Sequence, residues 1–332
     1  MLVLGVESSC DDTAAAVLRD GREILANIVS SQDAIHGPYG GVVPELASRQ
    51  HIRQILPIID AALQKAEVRL NDIDGIAVTS GPGLVGSLLV GISVVKGISF
   101  RLGIPFVGVN HLEAHLLAIF LEREISFPYL ALLASGGHTL LYRVKGFGDY
   151  QYLGGTRDDA AGEAYDKAAK MMGLGYPGGK VIDQLARQGD PRAVKFPRAR
   201  LKKGAYDFSF SGLKTALWHY LKEAGQSDWA SRKADVAASF QEAVVDMLVA
   251  TTMRAARDHE AARIVLAGGV SANSRLREHM TEACRSVGME VHFPSPYFCT
   301  DNAAMIALAG YHKLKRGERA PYGLNADADM TL

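Results

Sequence analysis

One succession of strands, turns and helices occurs twice along the chain, and any fold must accommodate both copies. LVLGVESSCDDTAAAVLRDGREILANIV (2–29) reads as an apolar strand, a small polar turn, a second strand, a hairpin turn at Asp20-Gly21 and a third strand. YLALLASGGHTLLYRVKGFGDYQYLGG (129–155) repeats that order. Helical periodicity follows each triplet, over PELASRQHIRQILPIIDAALQKA (44–66) and over DDAAGEAYDKAAKMMG (158–173). DGIAVTSGPGLVGSLLVGISVVKG (74–97) and RIVLAGGVSANSRLREHMTEACRSVG (263–288) each give a strand, a Gly-rich turn and a helix. Two short strands follow, IPFVGVN (104–110) and MEVHFPS (289–295). They lead to HLEAHLLAIF (111–120) and to DNAAMIALAGYHKLKRG (301–317).

The order is βββαβαβα, twice. Strands alternating with helices predict an α/β fold: mixed sheets with parallel strands, helices on both faces, and ligands at the strand C-termini. The expected halves are 1–125 and 126–300, with the C-terminal stretch 301–332 packing across onto the first and the second binding a nucleotide. The two are expected to face each other across a cleft. A chain of 332 residues, 48% hydrophobic, is large enough for two cores.

The duplication gives meaning to HLEAH. His111 and His115 are four apart and share one helix face. Two half-buried core histidines would satisfy that spacing as well as a metal site would. A third ligand decides between them, and the duplication supplies a candidate: Asp301 opens the matching helix, with Thr300 as its expected N-cap. Two imidazoles and one carboxylate on facing helices suit Fe2+ or Zn2+, with positions left open for substrate.

Three Gly-rich turns end strands: SGPG (80–83), ASGGH (134–138) and AGGVSAN (267–273). Glycine admits a ligand close to the backbone, and N–H groups at a helix start attract phosphate. Three equivalent turns predict a nucleotide site. GYPGGKV (175–181) is not a P-loop, because the first glycine is missing and Val181 follows Lys180; no GxGxxG follows the first strand either. Asp166, Asp183 and Asn273 lie near these turns and suit ribose hydroxyls and an adenine edge. Arg192 to Lys203 holds six basic residues and no acidic one, with Tyr206, Phe208 and Phe210 just beyond. That run suits a phosphate backbone with stacked bases, or simply a charged loop.

Lys plus Arg and Asp plus Glu number 36 each, so any basic footprint is local. Three cysteines, Cys10, Cys284 and Cys299, without CxxC spacing predict reduced thiols in a cytoplasm. The N-terminus meets a carboxylate at Glu7 and reads as a strand, not a signal peptide. LVGSLLVGISVV (84–95), ending at Lys96, is too short to span a membrane and reads as a buried helix.

These motifs together resemble the TsaD-type family of tRNA N6-adenosine threonylcarbamoyltransferases. The resemblance runs along almost the whole chain: GVESSCDDT (5–13), GGVVPELASRQH (40–51), SGPGLVGSLLVG (80–91), GVNHLEAH (108–115), ASGGHT (134–139), DDAAGEAYDKAAKMMGLGYPGG (158–179), DFSFSGLKT (207–215), AGGVSANSRLR (267–277) and CTDNAAMIA (299–307). It implies the fold of actin, sugar kinases and chaperone ATPases. It implies transfer of threonylcarbamoyl from threonylcarbamoyl-adenylate to N6 of the adenosine beside the anticodon, with AMP leaving. The metal ligands would be His111, His115 and Asp301. The adenylate would lie against Ala134, Ser135, Gly136, Gly137, His138, Asp166, Gly179, Asp183 and Asn273. An inactive paralogous subunit and a small ATPase would be partners, in the cytoplasm and away from membranes.

The chemistry agrees with that resemblance. An exocyclic aromatic amine is a poor nucleophile, so the acyl carbon must be activated and positioned. Asp11, in the first turn, could orient the amine or take its proton as the catalytic carboxylate. Two rivals remain. A non-catalytic ATP-binding scaffold or kinase of the same superfamily would need no metal ligands. A metallopeptidase, a role once assigned to this family, needs Glu directly after the first His. Glu113 stands two residues on, about 200° around the helix, and is expected to point away from the metal.

Overall fold

The computed structural model describes residues 1–199 and 206–332. Leu2–Glu7 (β1) pairs antiparallel with Asp12–Arg19 (β2), which pairs with Glu23–Ser31 (β3). Asp20 and Gly21 turn this hairpin, both with positive φ, 52° and 69°. That is the geometry matching the twist of the flanking strands. Asp33–His36 (α1) and Pro44–Lys65 (α2) follow, α2 starting on a proline whose missing N–H costs a helix start nothing. Gly75–Gly81 (β4) runs parallel to β1, and after Val85–Leu102 (α3), Phe106–Asn110 (β5) runs parallel to β4. The sheet order is β3-β2-β1-β4-β5, and His111–Leu117 (α4) leaves its last strand.

The second triplet is Tyr129–Ala134 (β6), Thr139–Gly146 (β7) and Asp149–Gly155 (β8). Four helices follow, Ala161–Met171 (α5), Gly178–Ala186 (α6), Ser211–Ser231 (α7, kinked at Gly225) and Lys233–Asp258 (α8). Arg263–Ala267 (β9), Ser274–Ser286 (α9), Glu290–His292 (β10) and Pro296–Cys299 (α10) complete this part. Read from β8, the sheet order is β8-β7-β6-β9-β10, the same permutation as the first. The duplication is therefore structural. Where sequence periodicity indicates one helix after the second triplet, four stand among the described residues.

Ala303–Lys315 (α11) belongs to the first part. The chain divides into Met1–Ile125 with Thr300–Leu332, and Ser126–Cys299. In the first unit Leu4, Val6, Val17 and Val78 face Ile55, Ile59, Leu88 and Ile92 of α2 and α3. Gly5, between Leu4 and Val6, points to the other face and meets α11. The second unit is built around Tyr165, Phe240, Leu248 and Leu266.

Three expectations need correction. α3 continues past Lys96 to Leu102 and exposes Val85, Leu89 and Phe100. It ends only where Gly103 takes the left-handed conformation (φ 69°) that favours glycine. It is therefore a one-sided helix rather than a buried one. α3 and α8 both have the length and apolarity of a membrane span; most of the apolar stretch of α8 is buried, and α3 lies on α2 and β4.

The aromatic residues after the basic run are not a stacking surface. Phe208 donates its N–H to Gly155 O (3.0 Å), extending the β8 edge, and Phe208 and Phe210 are 2% and 0% exposed. Asp158 accepts from Phe210 N, Ser211 N and the hydroxyls of Ser209 and Ser211, which fixes the start of α7. Tyr206 donates to Asp258 (2.9 Å) and Arg198 pairs with Asp246 (2.9 Å). Arg200, Lys202 and Lys203 lie outside the described residues. Phe210→Ala is expected to cost the second unit about 3–5 kcal/mol in denaturant unfolding, the penalty of a core cavity. A loss below 1 kcal/mol would show an aromatic free of the core.

The third correction concerns α11. Its cap is Asn302, whose side-chain oxygen accepts from Met305 N (3.0 Å), and not Thr300. Asp301 is therefore outside the helix. An amide oxygen at Asn302 satisfies an orphan helix N–H and leaves the preceding carboxylate to turn elsewhere.

Candidate functional site

Three elements of the first unit bring the site together. β5 runs directly into α4, and Asn110 at the junction accepts from Leu112 N (2.8 Å) and Glu113 N (3.3 Å). Its Nδ2 donates to Thr331 O (3.3 Å), so the C-terminal tail holds the capping side chain. This cap fixes the first turn of α4, which carries His111 and His115 with ring centroids 4.7 Å apart and planes at 88°. α11 packs beside α4 and brings Asp301 to them. Asp301 Oδ1 lies 3.0 Å from His115 Nε2 and 3.5 Å from His111 Nε2. The ligand helices are thus neighbours in one unit, with the C-terminal stretch packed onto the first part.

The ligand atoms of His111, His115 and Asp301 all lie within 4.8 Å of one another. The donor chemistry fits a divalent ion: two imidazole nitrogens and a carboxylate oxygen, with the rest of the shell open. His115 Nδ1 is buried without a partner among the described residues. Glu113 is buried and turned to Lys313 on α11 (3.3 Å). With that ion pair it supplies no base for peptide hydrolysis.

The β1–β2 turn supplies the carboxylates around the site. Burial works to lower the His111 pKa, but Asp301 and then Glu7 outweigh it and raise it to about 9. Burial works to raise Glu7, and the His111 charge and hydrogen bond bring it below its usual range. Burial is also the main cause of the raised Asp11 pKa, with Asp301 adding to it against a hydrogen bond from Cys10. Asp12 is pushed up to about 8 by burial, then by Asp301 and Asp11. Glu7 and Asp12 are absent from the residues singled out by sequence. A carboxylate closing an apolar strand, followed by a Cys-Asp-Asp turn, was the available signal.

In the second unit the ASGGH loop is pinned from two sides. Ser135 O accepts from Gly162 N at the start of α5 (3.1 Å), and Gly268 approaches Ala134 O so closely that a Cβ would lie 2.5 Å from it. Gly136, Gly137 and Gly269 have open space beside them. Asp166 Oδ1 accepts from Gly178 N (2.7 Å), setting the turn that presents Gly179. Asp183 accepts from the Ser274 backbone and hydroxyl and pairs with Arg187 (3.0 Å). Asn273 caps α9 through Leu276 N (2.9 Å) and donates to Gln241 (2.7 Å). Arg187, Gln241, Ser274 and Arg275 line a cavity of about 480 Å3. SGPG differs from the other two loops: Gly83 is packed on Ser9 and Gly81 on Asp327 O of the tail, so backbone occupies the space a phosphate would need.

A second His/carboxylate group, Glu242, Asp246 and His279, also clusters. Its carboxylates are already held, Glu242 by Nε and Nη2 of Arg275 (2.7 and 2.8 Å) and Asp246 by Arg198. A cation there would have to displace two guanidinium groups, so the chemistry of this cluster is that of an ion-pair network.

A sequence model described as TsaD, tRNA N6-adenosine threonylcarbamoyltransferase, matches residues 23–308. The chain belongs to that family. It is 57% identical over 332 residues to the tRNA N6-adenosine threonylcarbamoyltransferase of Anaeromyxobacter dehalogenans, covering 99% of each chain. It is 54% identical to that of Syntrophotalea carbinolica, covering 100% of this chain and 97% of the other. Among solved structures, component A of (R)-2-hydroxyglutaryl-CoA dehydratase from Acidaminococcus fermentans aligns with a TM-score of 0.56 at 16% identity, over 95% of this chain and 99% of that one. HypF of T. kodakarensis aligns with a TM-score of 0.64 at 14% identity, over 95% and 48%. Those two share the fold, a duplicated α/β architecture. The relatives carry the activity: this transferase attaches threonylcarbamoyl to N6 of a tRNA adenosine, and its His111–His115–Asp301 group is suited to a metal ion.

Proposed function

We propose that the transferase takes the threonylcarbamoyl group from threonylcarbamoyl-adenylate and delivers it to the adenosine adjacent to the anticodon. The N6 amine forms a bond to the carbamoyl carbon, the bond from that carbon to the phosphate oxygen breaks, and AMP leaves. The convergence of His111 Nε2, His115 Nε2 and Asp301 Oδ1 is the observation that carries this reading. These three residues would hold one divalent ion, Fe2+ first and Zn2+ second. When bound there it supplies Lewis-acid polarisation of the acyl carbonyl.

The chain's own side chains do the rest. Asp11, in the β1–β2 turn whose carboxyls feel Asp301, orients the attacking amine and takes its proton. The loops around Ala134, Ser135, Gly136, Gly137 and His138, with Gly179, leave room for a phosphate against backbone N–H groups. Asp166 sets the Gly179 turn, and Asp183 and Asn273 are connected to the cavity wall through Arg187, Ser274 and Gln241, which supports them as the ribose and adenine contacts. A paralogous subunit and a small ATPase complete the reaction in this reading. Exposed Ile52 and Leu56 on α2, and Val85 and Leu89 on α3, give the first unit apolar surface for such a partner. A tRNA substrate and three cysteines outside any disulfide support a cytoplasmic setting.

The nucleotide arm is tested by calorimetry with AMP and ATP. Asp183→Ala and Asn273→Ala should each weaken binding by about tenfold or more, the cost of losing a buried polar contact. Metal content should stay at the wild-type level. Unchanged nucleotide affinity in both variants would remove these residues from the site.

A further inference from the structure

We propose that Glu7 is a positioning residue for the metal centre. Its buried carboxylate holds the His111 ring with Nδ1–H turned toward it, so that the Nε2 lone pair faces Asp301 and His115. The inference rests on the reading of His111, His115 and Asp301 as metal ligands.

Glu7 ends β1 and is fully buried. A buried carboxylate is costly unless its oxygens are satisfied. Oε1 accepts from Ser9 N (2.5 Å), and Oε2 lies 2.8 Å from Thr79 Oγ1 and 3.0 Å from His111 Nδ1. An ionised carboxylate is acceptor-only, so the imidazole nitrogen facing it must carry the proton. Ser9 Oγ also approaches Nδ1 (3.2 Å), but a hydroxyl can donate or accept and does not choose between ring nitrogens. With Nδ1 protonated, the other nitrogen is the metal-binding one, and it is the one 3.5 Å from Asp301. His115 has no equivalent partner on Nδ1 among the described residues. The two histidines therefore differ: one ring is set in advance by a carboxylate, the other is not.

The test uses the full chain stripped of metal and titrated with Zn2+ as a diamagnetic probe. Glu7→Gln keeps the shape but places an amide where only acceptors fit. Its Zn2+ dissociation constant should rise about 10–100-fold, the usual loss when a ligand's supporting partner is removed. Adenine nucleotide affinity should not move. Thr79→Val removes a different bond to Glu7 and leaves the one to His111; its Zn2+ affinity should stay close to wild type. Equal losses in Glu7→Gln and Thr79→Val would make Glu7 merely structural and overturn the proposal.

Nitrogen-15 NMR of the Zn2+-loaded wild type gives a readout that depends on no variant. It should show His111 protonated at Nδ1 and metallated at Nε2; the opposite arrangement sinks the proposal even if Glu7→Gln fails to fold. His115→Ala separates the two readings. If it keeps wild-type Zn2+ affinity, the metal site itself is misplaced. If it loses Zn2+ while Glu7→Gln binds normally, the role of Glu7 alone is wrong.

Discussion

His111→Ala is expected to lower single-turnover transfer by at least about three orders of magnitude while the protein melts near its wild-type temperature. Positioning of the acyl group and polarisation of its carbonyl are each worth several kcal/mol, and every 1.36 kcal/mol is tenfold in rate. The fold should survive because His111 is anchored from outside its own side chain. Asn110 caps its helix, and α11 packs along α4 through residues that do not depend on the imidazole. AMP affinity should change little, since the nucleotide contacts proposed here lie in Ser126–Cys299. The assay supplies threonylcarbamoyl-adenylate and unmodified tRNA, with the paralogous and ATPase partners present. A parallel fall in melting temperature and transfer would make the histidine structural instead.

Gly5→Val is expected to destabilise the first unit by about 3 kcal/mol or more, at the upper end for forcing atoms into a packed core. A Cβ at Gly5 would sit 2.3 Å from Ala303 O and 2.9 Å from Ala307 Cβ, and neither a helix carbonyl nor an alanine can move aside alone. Gly310, further along the same helix, would meet Ala77 at 2.1 Å. Small residues on both sides thus let α11 lie directly on β1 and β4. Because α11 carries Asp301 just before its cap, shifting the helix should also lower metal occupancy. Thermal unfolding and metal analysis of the purified variant check this together. A wild-type melting temperature would mean that the helix is not seated as described.

The duplication was legible because its signals are local. A hairpin turn at Asp20-Gly21 and the change from two-residue to helical periodicity need no tertiary information. HLEAH and Asp301 were legible as a group for the same reason, once the two halves were aligned. What the sequence did not disclose depends on neighbours distant in the chain. Thr300 and Asn302 are both acceptable caps, and the choice rests on which side chain reaches Met305 N. Phe208 and Phe210 follow basic residues and look available for stacking. The β8 edge pairs with that segment and buries both rings. The glycines of SGPG look like those of ASGGH, yet they make room for Ser9 and the C-terminal tail. Glu7 was visible only as a charge that rules out a signal peptide, since its partners Thr79 and His111 lie 72 and 104 positions away.

In the proposed reaction one metal ion held by His111, His115 and Asp301 is required for transfer. The direct measurement is single-turnover transfer by chelator-stripped protein as Fe2+ is returned under anaerobic conditions. The rate should start near zero, rise in proportion to bound metal and level off at one equivalent per chain, while His115→Ala stays flat throughout. Full transfer by the metal-free wild type, or recovery of His115→Ala alongside it, would contradict a metal requirement at these residues.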